Sequence, residues 1–144
     1  MYDLWKNWAV NELQSYEAQK QATVNLPERI RDIEERMIGL RSSGSDSIAV
    51  KGGGSGREDM YINCICQQAE LEKSLKRAQS EVRQIERALS VLSKEEQSIL
   101  RRFYIDAERG AARRLAEDLG IEEKAVYRRK DTALRLFTIA IFGK

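Results

Sequence analysis

Apolar residues recur along much of this chain at alternating steps of four and three, the rhythm of a helix that buries one stripe. The clearest run is Leu71, Leu75, Ala78, Val82, Ile85, Leu89 and Leu92, with Cys64 and Gln68 extending it weakly. Glu72, Lys76, Glu86 and Arg87 occupy the other faces, so residues 57–92 are predicted as one long helix. An earlier run, Leu26, Ile30, Ile33, Met37 and Leu40, keeps the same step, and Tyr2, Trp5, Trp8 and Ala9 form an aromatic stripe ahead of it. Pro27 stands between the two, and its missing N–H is harmless only in a first helical turn. A break or kink near residues 24–26 is therefore expected, with a second helix from Leu26. Trp5 and Trp8 are read as packing surface rather than a base-stacking pair, because both fit the seam face.

Residues 41–56 hold five of the nine glycines, including GGG at 52–54. They are predicted as a mobile hinge between two antiparallel helices, with 42–47 a soft target for proteases. A seam as regular as 71–92 needs a partner: the 26–40 run folded back, the same helix of a second chain, or both at once. Seven seam positions run roughly 30 Å against about 20 Å for five. The amino-terminal piece, residues 2–23, must cover that difference or a second chain must, and a homodimer through residues 71–92 is favoured.

The carboxyl-terminal third changes pattern. Ser93 and Glu96 have the spacing of a capping box, which opens a helix whose apolar face is Ile99, Leu100 and Phe103. A turn over 105–110 leads to AARRLAEDLGIEEKAVYRRKDTALRLF, residues 111–137. Leu115, Leu119, Ile121 and Val126 are the positions two short helices would bury against each other. Ala116 falls where they cross most closely. Gly120 sits where the chain must leave the first helix with positive φ. The apolar tail TIAIF, residues 138–142, is expected to cover the core or join an interface. The fold class is thus all-α: a helical hairpin or coiled-coil arm over 1–92, with a Gly/Ser-rich loop at 42–56, then a helix-turn-helix domain over 93–144.

Composition narrows the chemistry. With 144 residues there is room for one domain, or a small domain and an arm. Histidine is absent, which removes the commonest general base and metal ligand. No Ser/His/Asp or Cys/His set can be assembled, and GGGSGRED lacks the Lys-Ser/Thr of a phosphate-binding loop. A non-enzyme without metal or cofactor is expected. Cys64 and Cys66 point to different sides of a helix and read as ordinary packing or surface thiols. The amino terminus has no apolar run long enough for a signal or membrane span, so a cytoplasmic protein is expected.

Charge is unevenly spread. Residues 124–135 carry five basic side chains (Lys124, Arg128, Arg129, Lys130, Arg135) against Asp131, a local +4 on a chain of net +2. Turning about 100° per residue puts Lys124, Tyr127, Arg128 and Asp131 on one side and Val126, Ala133 and Phe137 opposite. Lys124, Tyr127 and Arg128 are the candidates for reading bases, with Glu123 and Asp131 as acceptors from cytosine; Asp131 has Arg128 or Arg135 as an alternative partner. Arg129 and Lys130 flank the two faces, and Arg113 and Arg114 open the preceding helix, where they would meet phosphates. Arg101, Arg102 and Arg109 add charge around the unit. A basic, solvated helix end in a small helical domain is the plainer reading of the same residues.

The stretch RALSVLSKEEQSILRRFYID with ARRLAEDLGIEEKAVYRRKDTALRLF resembles region 4 of bacterial sigma factors. Taken with the amino-terminal helices and the loop SDSIAVKGGGSGREDM, the chain is similar to phage late-gene activators of the ArpU/RinA type. The resemblance covers most of the chain and is specific over residues 89–137. It implies a sequence-specific DNA-binding transcriptional regulator acting on double-stranded DNA in a bacterial host, with RNA polymerase as a further partner. Two alternatives stay open. One is a small terminase subunit recognising packaging-site DNA, and the other is a helical adaptor that binds no DNA.

Overall fold

In the computed structural model, which describes residues 2–44 and 53–144, every regular element is helical and the chain is all-α. The elements are α1 (Tyr2–Gly44), α2 (Gly53–Ser90), α3 (Lys94–Leu100), a π-helical turn (Arg101–Ile105), α4 (Ala111–Leu119) and α5 (Glu123–Phe142). None of these helices is long and apolar enough to cross a membrane.

Two expectations about the long helices are corrected. The break near residues 24–26 is absent, and α1 runs through Pro27. An interior proline costs about 3 kcal/mol, whereas each large apolar side chain buried contributes roughly 1.5–3 kcal/mol. Leu13 and Tyr16 are buried before Pro27 and Ile30 and Ile33 after it, so packing on both sides holds the helix. The predicted loop is also shorter than 41–56, because α1 extends to Gly44 and α2 begins at Gly53 inside the glycine run. Adding a glycine to a formed helix costs only about 1 kcal/mol, since nucleation has already been met elsewhere. The rest of the expected hinge, 45–52, lies outside the described residues.

The chain divides into two compact units, Met1–Gln19 with Ser80–Lys144, and Lys20–Gln79. The first unit has a closed core. Ala9, Leu13 and Tyr16 of α1, Ile85 and Ala88 of α2, Leu92, Leu100 of α3, and Ala133, Leu134 and Phe137 of α5 pack as one cluster. The expected division at 92/93 does not coincide with this unit, because α1 and α2 each supply part of its core. The 71–92 seam is likewise used inside the chain: Ala78, Ile85 and Leu92 are buried, and Val82 and Leu89 pack on the core. Ala9, Leu13 and Tyr16 of the amino-terminal piece share this core with Ile85 and Leu92, so that piece covers this part of the seam within the chain. Tyr16 donates to Glu86 Oε1 at 2.7 Å. Burial, then this carboxylate, pushes its hydroxyl pKa up to about 12 and keeps it a donor.

The second unit is a pair of antiparallel helical segments. Among its described residues Ile30, Ile33, Cys64 and Ala78 are the buried apolar ones. Gln68 donates to Glu34 at 3.0 Å, and the Arg41 guanidinium lies 5.3 Å from the centre of the Tyr61 ring.

Candidate nucleic-acid interface

The approach to α4 and α5 is built by local rules. Ser93 accepts from the Glu96 amide at 3.1 Å and the Glu96 carboxylate accepts from the Ser93 amide at 3.0 Å, so the capping box forms as expected. The helix then widens over Arg101–Ile105, with the Asp106 amide reaching back to the Arg101 carbonyl at 2.7 Å. The sequence carried no sign of this π-turn, nor of Ala107 at φ 48° after it. Three residues join α4 to α5, and Gly120 takes φ 67° there, the left-handed conformation its position required.

A second cluster holds α4 and α5 together: Ile99, Ala112, Leu115 and Val126 are buried, with Phe103, Ala116 and Ile121 packed on them. Val126, Ala133 and Phe137 are fully buried, as the rotation along α5 predicted. Leu119 is not, at 36% exposed. It occupies the last position of α4, where the chain turns away at Gly120. Trp8 is another partial departure. It is 45% exposed and meets Trp5 edge-on at 4.8 Å, both rings lying against Phe142.

The front of α5 presents Glu123, Lys124, Tyr127 and Arg128, all exposed. Tyr127 is fixed in place by Phe103, 5.9 Å away between ring centres. Arg113 and Arg114 are exposed at the start of α4, Arg113 within 3.6 Å of Glu117 one turn on. An ion pair this exposed constrains Arg113 little.

Three other candidates are engaged within the protein. Arg129 is paired with Glu95 of α3. The Lys130 ammonium lies over the Phe103 and Tyr127 rings at 5.2 and 5.1 Å, with only 18% of its side chain exposed. Asp131 contacts Lys6 and Lys130, each at 3.8 Å, rather than the Arg128 or Arg135 partners expected from its own helix. Its neighbourhood also matters to Tyr104, whose hydroxyl pKa is raised by burial and then by the Asp131 charge.

The surrounding arginines divide the same way. Arg102 donates to Glu108 at 2.9 Å and to Asp118 at 2.7 Å, and these two bonds raise its pKa further. Arg101 reaches Glu17 and Asp106 at 3.5 and 3.7 Å. Among the described residues, Arg109, Arg114, Lys124, Arg128 and Arg135 are exposed and in no ion pair. The groove between α3 and α5, about 580 Å³, is lined by Glu95 and Glu96 as well as Arg128 and Arg129, so its charge is mixed. The arginine clamps were missed from sequence because their partners lie in the turn at 105–110 and in α1, α3 and α4, and not at helical spacing. Among the described residues no group of acidic or cysteine side chains is placed to hold a metal ion.

No curated protein and no solved structure matches the chain. Residues 40–138, well over half of the sequence, match the model of a family described as "Protein of unknown function (DUF1492)", and the protein belongs to that family.

Proposed function

We propose that the protein is a sequence-specific DNA-binding transcriptional regulator, with α5 as the helix that enters the major groove. One observation carries this reading. Lys124, Tyr127 and Arg128 stand exposed on the first turns of a helix whose back, Val126 and Ala133, is fully buried. A reading helix has to be held rigidly from behind while its front stays free to meet base edges.

Lys124 and Arg128 suit guanine O6 and N7, and Glu123 suits the cytosine amine; a good bidentate pair discriminates by about 1–3 kcal/mol. Arg113 and Arg114, with Arg109 beside them in sequence, supply phosphate contacts that set register without reading sequence. Arg129, Lys130 and Asp131 brace α5 against α3, the aromatic pair and Lys6 instead of reaching DNA. Similarity to phage late-gene activators supplies the setting, control of packaging, structural or lysis genes in a bacterial cytoplasm with RNA polymerase as the second partner.

Selection from random duplex DNA with the purified full chain tests this reading. A recovered motif is the expected result. Absence of binding at low salt would overturn it in favour of an adaptor, and a ring of many subunits on DNA would point to a small terminase.

A further inference from the structure

The second unit carries an apolar stripe on the outside of α2, opposite the seam that faces α1. Ile62 and Ile65 are 55% and 45% exposed, and Cys66 and Ala69 are exposed with them. Their spacing is i, i+3, i+4, i+7, which at about 100° per residue confines all four to an arc of roughly 100°. The buried Cys64 and the half-buried Leu71 and Leu75 point the other way. A stripe with helical spacing has the form of a helix-packing surface, unlike scattered apolar residues, which need no explanation.

The ends of the stripe bear opposite charges. Glu58 continues it toward the amino terminus, and Lys73 and Lys76 continue it toward the carboxyl terminus. All three are exposed, and among the described residues none is in an ion pair. We infer that the occupant of this face is a second copy of the same face, laid antiparallel about a twofold axis between Ile65 and Cys66.

In that pairing Ile65 meets Ile65 and Cys66 meets Cys66 across the axis, while Ile62 of each copy packs over Ala69 of the other. Glu58 of each copy falls between Lys73 and Lys76 of the other. A parallel pairing would set Glu58 against Glu58 and Lys73 against Lys73, so charge selects the antiparallel arrangement. Four helical segments then share a core that two cannot close alone. This inference is independent of DNA binding and concerns a different face from the seam of residues 71–92.

Sedimentation equilibrium of the full chain at tens of micromolar in low salt should give a dimer. A short bis-maleimide should join the two Cys66 thiols into a covalent dimer, and Cys66→Ser should abolish it. Ile65→Asp should give a monomer with unchanged helical circular dichroism. Glu58→Lys and Lys73→Glu should each raise the dissociation constant at least about tenfold, since by symmetry each breaks two contacts or more. Glu58→Lys with Lys73→Glu and Lys76→Glu on one chain should restore association, because the reversed charges again face their opposites in an antiparallel pair. A wild-type monomer, a dimer indifferent to Ile65→Asp, or charge reversals that fail to compensate would each overturn the inference.

Discussion

The two compact units are made partly from the same two long helices, yet they differ in what those helices can bury. In the first unit, the ends of α1 and α2 meet α3 and α5, and residues such as Leu13, Ile85, Leu134 and Phe137 are wholly shielded from water. Among the described residues of the second, the same helices have only each other. Of its described residues four apolar ones are buried, while Val24, Ile38, Met60, Ile62 and Ile65 stay between 45% and 61% exposed. A pair of helices buries one stripe from each, and a closed core needs a third element on the remaining faces. The lesson is that seam regularity alone does not predict burial. What matters is how many elements converge on the seam.

Removing residues 1–19 should test this most severely. It withdraws Ala9, Leu13 and Tyr16 from the core, a loss comparable with the whole stability of a small domain, about 5–15 kcal/mol. Neither that deletion nor residues 93–144 alone should fold cooperatively by circular dichroism. A sharp thermal transition from 93–144 would restore the boundary at 92/93.

Point substitutions should sharpen the same contrast. Phe137→Ala is expected to cost about 3–5 kcal/mol in denaturant titrations, and Ile33→Ala only about 2 kcal/mol, because its surroundings are open enough to collapse. Equal losses would erase the distinction between the units. Ala116→Leu, at the crossing of α4 and α5, should cost about 1–3 kcal/mol by overpacking. An unchanged melting curve would mean that the crossing lies elsewhere.

The proposed division of labour can be read on DNA. Arg128→Ala and Lys124→Ala should each weaken binding to a selected site by about 1–3 kcal/mol while leaving random DNA nearly unaffected. Arg113→Ala and Arg114→Ala should weaken both, lowering the salt slope by about 1 for each phosphate that is no longer neutralised. Ile65→Asp, in the other unit, should leave affinity for a single half-site unchanged. A weakening there would tie the reader to the second unit.

The smallest effect concerns Glu12, a residue of α1 inside the first unit. Burial, and secondarily the Glu81 carboxylate, hold its pKa above the ordinary value. The folded chain therefore binds that proton more tightly than the unfolded chain does, and ionised Glu12 costs stability at neutral pH. That cost disappears as pH falls through the raised pKa and into the ordinary carboxylate range. Glu12→Gln should accordingly raise the melting temperature by about a degree or two at pH 7 and by progressively less toward pH 4. A gain independent of pH would assign the effect to something other than this carboxyl.

Much of the architecture followed from sequence alone, wherever the deciding interactions lie within a turn or two of chain. The helical periods, the Ser93–Glu96 capping box, the left-handed Gly120, and the buried faces of α4 and α5 at Leu115, Val126 and Phe137 are of this kind. Spacing and backbone sterics act locally, so they are written in the residues. The tertiary structure decided what distant segments do to one another. It carried α1 through Pro27, drew Ala9, Leu13 and Tyr16 into the same core as α5, and used the 71–92 seam inside the chain. It also sorted the basic residues. Arg128 and Lys124 stayed free, while Arg129 went to Glu95, Lys130 to two aromatic rings, and Lys6 came from the far end of the chain to Asp131. Such pairings depend on which surfaces the folded backbone brings within a few ångströms, and helical spacing holds no information about that.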